Sequence, residues 1–345
     1  EMVQDGESYA LKSMLSKDVI KGLKYTWYDT GQINNLKKAR EVFDNNDFNI
    51  LEKEEEAIWF INKKVIKFSN NKEFIRQRVI RSRKLKPFVP AIISIKENMY
   101  AYKKIESQVI SRIINIDIFK SLLEHCKVFW EEKILDENES LIFKSTCNDF
   151  YKKKTYQRLN NFYCQYNKKD SVTFINDKCV PTLEMILNNV NWEKLSEGKA
   201  GRFHGDFHFE NILFDIKKKE FSFIDWRQNF GNYLDIGDIY YDLAKLLHGL
   251  IVSHELISRE QYEVKWINDR IFYSIYRENK LLECEKFLYE WCQLNNYEIK
   301  KIKQLTALIF LNIASLHHHP YCLFLYALGK DMLYETLSIN EQINV

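Results

Sequence analysis

The chain has few of the residues that interrupt regular structure or mark flexible linkers. Its 345 residues include only four prolines and ten glycines, and no serine-rich or glycine-rich tract occurs. The composition therefore excludes a long flexible linker, and the lack of an internal repeat excludes a repeat protein. Because 46% of the residues are hydrophobic and 14% aromatic, we expect a folded protein of about two structural units joined by short connections.

A strong excess of one charge is also absent. The net charge is +3 with both signs interspersed, which argues against an extended nucleic-acid-binding surface. The basic cluster between Arg76 and Lys86 is better explained as a solvated helix face. The seven cysteines are an odd number, widely spaced, and never form a CxxC motif. This pattern is typical of free thiols in a reducing compartment rather than of disulfides or a zinc site, so we expect a cytoplasmic protein.

A membrane span is not expected either. The long stretch without Lys, Arg, Asp or Glu, residues 304–329, contains three adjacent histidines and Pro320. It predicts two buried helices with a break at the proline. Metal binding by His317, His318 and His319 is disfavoured, because adjacent residues on a helix point in different directions. We see no signal peptide, and since the first residue is Glu1 we expect a piece of a longer protein.

Short β patterns predominate from residue 46 to residue 106. A helical stretch is expected between Asn71 and Lys84, and the turns between the other segments are polar. The pattern predicts a small lobe of five antiparallel strands with one inserted helix. The candidate strands are FNIL at 48–51, AIWFI at 57–61, VIKF at 65–68, AIISI at 91–95 and MYAYKKI at 99–105.

A second, mainly helical lobe is expected at 107–345. Helices are predicted at 117–134, 150–166 and 181–195, the first from apolar residues at three- and four-residue spacing. After Asp238 the pattern predicts helices again, through the 261–293 region and on both sides of Pro320. Between the two helical parts lies a β-rich island with the segments RFHGD, NILFD and FSFIDW. The fold class predicted is α+β.

The β-rich island contains the groups that phosphoryl transfer requires, in HGDFHFENILF at 204–214 and FIDW at 223–226. A carboxylate at Asp206 suits the orientation and deprotonation of a substrate hydroxyl. Asn211 supplies a neutral oxygen and Asp225 an anionic one, a combination suited to Mg²⁺ that also binds phosphates. His204 is a further candidate catalytic residue, although we expect it to buttress the loop rather than to transfer protons.

The spacing of these residues, followed by GDIYYDLA at 237–244, resembles a family pattern. It is similar to the HxDxxxxN and GDxxYDLA motifs of aminoglycoside phosphotransferases, choline kinases and related small-molecule kinases, over about forty residues. The resemblance implies a two-lobed protein-kinase-like fold with ATP and Mg²⁺ as cofactors. It also implies that Asp242 is a buried carboxylate that accepts hydrogen bonds from the catalytic loop. Asp235 and Asp238 are candidates for helix capping.

The nucleotide-binding side is less complete. The resemblance places Lys67 on the α- and β-phosphates, with an edge-strand surface lysine as the alternative. The following helix offers only Glu73 as the usual glutamate partner. No glycine occurs in the turn before AIWFI, which argues against a protein kinase with its glycine-rich phosphate cover. Tyr102, Lys103 and Ile105 would form the hinge that offers backbone groups to adenine.

The acceptor is harder to infer. The resemblance places it between the catalytic loop and the C-terminal helices, near His208, Trp226 and Arg227. We expect phosphorylation of a hydroxyl on a small molecule, with a sugar or polyol favoured. A choline or amino-alcohol kinase would need an aromatic and acidic cation-binding box, and an aminoglycoside kinase a strongly acidic site. The alternative from another class is a non-catalytic nucleotide-binding scaffold.

Residues 1–45 differ from the rest of the chain. WYDTG at 27–31, before a helical pattern, resembles the closing segment of sugar-nucleotide nucleotidyltransferases. A chance match is the open alternative, because the glycine-rich loop and basic residues of those enzymes are absent. The resemblance implies a preceding or fused nucleotidyltransferase module and favours a precursor for surface (capsular) polysaccharide. No nucleic-acid partner is expected.

Overall fold

The computed structural model describes residues 55–338, which form an α+β fold with a small sheet-containing lobe and a larger helical lobe. The predicted fold class is thus confirmed. The candidate strand at 48–51 and the nucleotidyltransferase-like segment at 1–45 lie outside the described residues.

Four antiparallel strands form the sheet of the small lobe, in the order β1-β2-β4-β3. Asn62 and Lys63 join the first two strands, and both have positive φ angles, as a tight two-residue hairpin turn requires. Four of the five predicted strands are confirmed. They are β1 (Glu56–Ile61), β2 (Lys64–Ser69), β3 (Ile92–Lys96) and β4 (Met99–Lys103).

The predicted helix between the second and third strands is confirmed as α1 (Lys72–Lys84). The Asn71 side chain caps it by accepting a hydrogen bond from the Phe74 N–H at 3.0 Å. On the face away from solvent, the fully buried Arg81 donates to the carbonyl oxygens of Phe203 and Arg227. Helix α1 is therefore anchored directly to the β-rich island.

Short strands build the β-rich island. Strand β9 (Ile212–Asp215) pairs with β10 (Glu220–Phe223) and with β5 (Gln108–Val109). A separate pair consists of β8 (Ala200–Gly201) and β11 (Gly237–Asp238). The three-stranded unit carries the predicted catalytic loop, residues 204–211, and Asp225 at its ends, so that backbone pairing brings the two segments together.

Helices make up most of the larger lobe. A π-helical turn at Asp149–Lys153 leads into one of them, and a 3₁₀ turn covers Phe209–Asn211. The helices are α2 (Ile110–Ile113), α3 (Ile116–Phe129), α4 (Glu137–Asn148), α5 (Lys154–Tyr166), α6 (Leu183–Asn188), α7 (Trp192–Leu195), α8 (Ile239–Ile251), α9 (His254–Ser258), α10 (Asn279–Leu294), α11 (Ile299–Ala314) and α12 (Tyr321–Ser338).

Part of the helix expected at 261–293 is a β-hairpin, so that prediction is wrong there. Strands β12 (Tyr262–Ile267) and β13 (Arg270–Ile275) pair with each other, and β13 also pairs with β6 (Thr173–Ile175), which is joined to β7 (Lys178–Val180). Burial alternates along β12, the period of a strand with one face covered. The Tyr262 ring on that face packs 5.4 Å from the Phe324 ring of α12.

The expected break at Pro320 is confirmed, because α11 ends at Ala314 and α12 begins at Tyr321. His317, His318 and His319 lie in the connection and not on a helix. Within residues 55–338 every helix is too short or too polar to cross a membrane. All seven cysteines are free thiols, as expected.

Candidate active site

The catalytic loop, residues 204–211, is held in place by a carboxylate from α8. Asp242 is fully buried, and its two oxygens accept hydrogen bonds from the backbone N–H groups of His204 (2.6 Å) and Gly205 (2.7 Å). The Trp130 indole donates a third at 3.1 Å. Burial raises the pKa of Asp242 to about 6, although the hydrogen bonds oppose this shift. Asp242 thus occupies the position that the resemblance implied.

Gly205 is required by the geometry of this loop. Its φ is +87°, and a Cβ atom there would lie 2.6 Å from Cβ of Arg227. Only glycine at this position therefore allows the loop to lie this close to the segment that follows Asp225.

His204 connects the two segments of the site through backbone contacts. Its Nδ1 accepts a hydrogen bond from the Asp206 N–H at 3.2 Å, and its Nε2 lies 2.8 Å from the Ile224 carbonyl oxygen. These partners require the tautomer with the proton on Nε2. Burial lowers the pKa of His204 to about 3. A neutral, fully engaged imidazole serves as a buttress and does not face a substrate.

Asp206 faces the cleft with 40% of its side chain exposed. Its Oδ1 lies 2.9 Å from Nζ of Lys245, and its Oδ2 lies 3.6 Å from Nε2 of His208. Burial raises the pKa of Asp206, but Lys245 and His208 more than offset this effect, and the pKa lies well below its ordinary value. The carboxylate is therefore ionised and can accept a hydrogen bond from a hydroxyl.

Asn211 holds the loop through its side-chain nitrogen. The side-chain nitrogen donates to the Asp206 carbonyl oxygen at 2.9 Å and lies 3.1 Å from Nε2 of His208. Within the described residues the amide oxygen has no such partner. The loop thus uses the nitrogen of Asn211 and leaves its oxygen for a ligand.

Asp225 has a backbone conformation that is unusual for a residue with a side chain. Its φ is 58°, in the left-handed region, where such residues cost of the order of 1 kcal/mol or more and occur mainly at functional sites. Its Oδ1 accepts hydrogen bonds from Lys67 and, at 3.2 Å, from Arg78. Burial raises the pKa of Asp225, but these two cations lower it far below its ordinary value.

The chemistry of these donors fits a magnesium ion. Asn211 and Asp225 offer one amide and one carboxylate oxygen, both hard donors of the kind that Mg²⁺ prefers. The Ile224 N–H donates to the Asn211 carbonyl oxygen at 2.9 Å, so the two segments are joined next to the candidate ligands. The charge of Asp206 also acts on the Asp225 carboxyl and raises its pKa.

Lys67 is buried, whereas the side chain of Glu73 is exposed to solvent. Lys67 is buried on β2 and donates to Asp225, so it is not a surface lysine. Glu73 does not pair with it, because its carboxylate is on the exposed side of α1 and binds Arg76 at 2.6 Å and Gln77 at 2.8 Å. The pairing expected of Glu73 is therefore corrected, and Asp225 is the carboxylate partner of Lys67.

The hinge residues come at the end of β4. Tyr102 is buried and packs beside Tyr100, with the ring centroids 6.4 Å apart. The Lys104 N–H donates to the Lys63 carbonyl oxygen at 2.8 Å, so the chain between Lys103 and Ile105 is tied to the first hairpin. Contact of these backbone groups with adenine stays a prediction.

Of the three residues expected near the acceptor, Trp226 is buried in the fold and His208 packs against another histidine. Trp226 is fully buried, and its indole donates to the Arg78 carbonyl oxygen at 2.9 Å, so the expectation of a substrate contact is wrong. The ring of His208 stacks on His254 at 5.4 Å. Burial lowers the pKa of His208, but Asp206 and Glu210 raise it to about 9.

Arg227 lines a cavity of about 280 Å³ beside Asp206. The walls come from β1, α1, the catalytic loop, α5, α8 and α11. The sequence reasoning missed Lys245, although a lysine three residues after Asp242 in a mainly apolar helix was a signal. It also missed Arg78, Lys154 and Arg158 on α1 and α5, for which the sequence shows no signal beyond their charge.

The other acidic and histidine candidates act within the fold. Asp238 caps α8 through the Tyr240 N–H at 3.1 Å and accepts the Tyr151 hydroxyl at 2.6 Å. Asp235 accepts the Ile236 N–H at 3.1 Å. Burial lowers the pKa of His317 to about 4, and its ring packs 4.9 Å from that of Tyr321.

A family of known proteins matches the part of the chain that contains this site. Residues 158–267 match the model of the phosphotransferase enzyme family, a stretch that includes the catalytic loop, Asp225 and Asp242. The resemblance to these phosphotransferases is thereby confirmed. No curated protein matches the chain.

Solved structures that match this chain include an ethanolamine kinase, a choline kinase and a complex with gentamicin. Ethanolamine kinase of Plasmodium vivax is 13% identical, with 96% of this chain and 94% of that chain covered and a TM-score of 0.42. Choline kinase of Cryptosporidium parvum is 11% identical, with coverage of 91% and 96% and a TM-score of 0.45. APH(2")-IIa in its complex with gentamicin is 13% identical, with coverage of 94% and 98% and a TM-score of 0.41.

Proposed function

We propose that this protein is an ATP- and Mg²⁺-dependent phosphotransferase that acts on the hydroxyl of a small molecule. The observation that carries this proposal is the close grouping of Asp206, Asn211 and Asp225. The Asn211 side chain binds the Asp206 backbone, the Asn211 carbonyl binds Ile224 next to Asp225, Lys67 binds Asp225 and Lys245 binds Asp206. Phosphoryl transfer depends mainly on such positioning and charge neutralisation.

Each side chain has a separate role in this proposal. Asp206 orients the acceptor hydroxyl and receives its proton, while a new bond forms between that oxygen and the γ-phosphorus. The bond from the γ-phosphorus to the β–γ bridging oxygen breaks, and ADP leaves with the electron pair. Asn211 and Asp225 would hold Mg²⁺, which neutralises phosphate charge when it is bound. Lys67 would contact the α- and β-phosphates.

The supporting residues fix the positions of these side chains. Asp242 and His204 fix the catalytic loop through its backbone. Backbone groups of Tyr102, Lys103 and Ile105 would bind adenine. A cavity of about 280 Å³ lies near the lower end of the range for small-molecule sites, roughly 300 to 1,000 Å³, so the acceptor is small.

A sugar or polyol is our proposed acceptor. The alternative of a choline or amino-alcohol kinase requires a box of aromatic and acidic groups around a cation. The lining instead contains five basic residues and only two carboxylates, Glu56 and Asp206. This balance disfavours a quaternary ammonium substrate.

The wider organisation belongs to the same proposal. Residues 46–106 and 107–345 would be the two kinase lobes, and residues 1–45 the tail of a nucleotidyltransferase-like module. Such a module would attach a nucleotide to the phosphorylated product in the cytoplasm. The resulting compound would serve as a precursor for surface polysaccharide. A test is expression with the natural upstream sequence, followed by an assay for nucleotidyl transfer.

The proposed activity is tested by ADP release with sugars, polyols, choline and aminoglycosides, each with and without Mg²⁺. We expect release that requires both Mg²⁺ and one class of hydroxyl acceptor. Tight nucleotide binding without turnover on any acceptor would contradict the proposal and favour a non-catalytic scaffold.

A further inference from the structure

The cavity beside Asp206 has an unbalanced charge. Its lining contains five basic side chains against the carboxylates of Glu56 and Asp206. The basic residues come from α1, α5, α8 and the segment that follows Asp225. They are Arg78, Lys154, Arg158, Arg227 and Lys245.

Two of these five cations already have carboxylate partners. Lys245 pairs with Asp206 at 2.9 Å, and Arg78 pairs with Asp225 at 3.2 Å. Within residues 55–338, neither Lys154 nor Arg158 nor Arg227 forms an ion pair with a carboxylate. These three residues are called the cationic cluster below.

The cationic cluster is closely grouped and half-buried. Nζ of Lys154 lies 4.5 Å from the centre of the Phe150 ring, and the Arg227 guanidinium lies 4.8 Å from the same ring. Arg158 follows Lys154 by one helical turn on α5, and residues at this spacing share a helix face. Phe150 thus serves as a common platform for two cations on neighbouring segments.

The members of the cluster repel one another. Burial lowers the pKa of Lys154 well below its ordinary value, and the charges of Arg227, Lys245 and Arg158 lower it further. Like charges held together in a partly desolvated cavity are unfavourable unless a counter-charge is present. A bound anion would offset this repulsion and raise the pKa of Lys154 again.

A polar group without a partner lies at the helical wall of the same cavity. Asn312 of α11 is 9% exposed, and its side-chain oxygen is buried with no hydrogen-bond partner within the described residues. Buried polar atoms of this kind are rare and are usually satisfied by a ligand or water. A hydroxyl group on the acceptor would donate to this oxygen.

We infer that the acceptor carries a carboxylate or phosphate group in addition to the hydroxyl that is phosphorylated. The inference rests on the proposed function and specifies its substrate class. The cationic cluster binds the anionic group, for which the forked guanidinium groups of arginine are well suited. The reacting hydroxyl lies at Asp206. A cationic acceptor such as choline would meet the same like charges and be rejected.

Matched acceptors test this assignment through ADP release in the presence of Mg²⁺. One series is glycerol, glycerate and glycerol 3-phosphate, and a second is glucose, gluconate and glucose 6-phosphate, with choline as the cationic member. We expect kcat/KM for at least one anionic member to exceed that of its neutral counterpart by about tenfold or more, as one charge-assisted hydrogen bond allows. The carboxylate and phosphate arms identify which anion is bound.

Variants separate acceptor binding from nucleotide binding. K154M and R158Q should each raise KM for the anionic acceptor about tenfold while KM for ATP changes by less than about twofold. K153M is the matched control, because Lys153 is 74% exposed, precedes Lys154 directly and pairs with Asp149 instead of lining the cavity. An equal rise in KM for ATP would show that the cluster binds the nucleotide and would overturn the inference.

Calorimetric titration of the same compounds distinguishes failure of this inference from failure of the proposed function. Turnover of neutral or cationic acceptors alone overturns the inference and leaves the phosphotransferase intact. Tighter binding of an anionic compound that K154M weakens, without turnover of any compound, supports the anion site and contradicts the proposed function. If no anionic compound binds more tightly than its neutral counterpart, the anion site does not exist.

Discussion

The ammonium group of Lys245 lies 2.9 Å from Oδ1 of Asp206 at the edge of the cavity. Lys245 is on α8 close to Asp242, which binds the backbone of the loop that carries Asp206. One helix therefore controls both the position of the loop and the ionisation of its carboxylate. Substitutions on α8 should separate these two effects.

The variant K245M should move the acidic limb of the pH–rate profile to higher pH. Burial raises the pKa of Asp206, and Lys245 is the largest of the influences that bring it below its ordinary value. Without the ammonium group the carboxylate gains its proton at a higher pH and can no longer accept one from the acceptor. The measurement is kcat against pH. K300M, at an exposed site on α11, is the control and should leave the acidic limb in place. An acidic limb that also stays in place in K245M would contradict this assignment.

The variant D206N should lower kcat by about 10²- to 10⁴-fold, the usual contribution of a general base. The amide keeps the size of the side chain but cannot take up the hydroxyl proton. ATP affinity should change little, because the nucleotide contacts are assigned to Lys67, Asn211 and Asp225. Single-turnover transfer and ATP titration measure the two effects. Transfer at the parental rate would show that Asp206 has no such role.

The variant D225N should abolish the dependence of ATP binding on Mg²⁺. Its neutral side chain lacks the anionic oxygen that would hold the ion and no longer offsets the charges of Lys67 and Arg78. ATP affinity is measured with Mg²⁺ and with EDTA. D215N, on the adjacent hairpin, is the control and should keep the dependence of the parent. Equal Mg²⁺ dependence in D225N and the parent would remove Asp225 from the metal site.

The carboxyl of Asp242 should make stability depend on pH. Its pKa in the folded protein is raised from 3.8 to about 6 by burial. The folded protein therefore holds the proton more tightly than the unfolded chain does, and stability is lost as pH rises from about 4 to about 6. The loss from this group should be about 3 kcal/mol, at 1.36 kcal/mol for each pH unit between the two pKa values.

Urea unfolding of the parent and of D242N at several pH values measures this contribution. The free energy of unfolding of the parent, relative to that of the variant, should fall between pH 4 and pH 7. In the variant, an amide replaces the carboxyl group opposite the backbone N–H groups, and the NH₂ group of the amide cannot accept their hydrogen bonds. This should lower the free energy of unfolding by roughly 1 to 3 kcal/mol at every pH. A difference between parent and variant that is independent of pH would contradict the raised pKa.

The grouping of the candidate site residues was predictable from the sequence because these residues are close in the chain. His204, Asp206 and Asn211 lie within one loop, and Asp225 follows one hairpin later, so local turns and antiparallel pairing bring them together. The strands at 56–69 and 92–103 were predictable for a similar reason. Their alternating patterns and polar turns are local signals.

Other features depended on contacts between distant segments. Residues 262–275 form two strands that pair with each other, and β13 also pairs with β6, which lies far earlier in the chain. Helical and strand patterns are hard to separate in short amphipathic segments. Glu73 had the right residue type for a partner of Lys67. The orientation of α1 turned it to solvent and brought Arg78 to Asp225 instead.

The sequence by itself determined the class of chemistry, because the order and spacing of a few polar residues around short strands specify the catalytic loop. The tertiary structure alone decided the charge of the cavity beside Asp206. Lys154, Arg158 and Lys245 lie on two helices whose sequences reveal no common target, and only the packing of α5 and α8 around Asp206 turns their side chains into one cavity. The charge at a site depends on which side chains from distant segments lie in the same low-dielectric space, and no local sequence pattern predicts this.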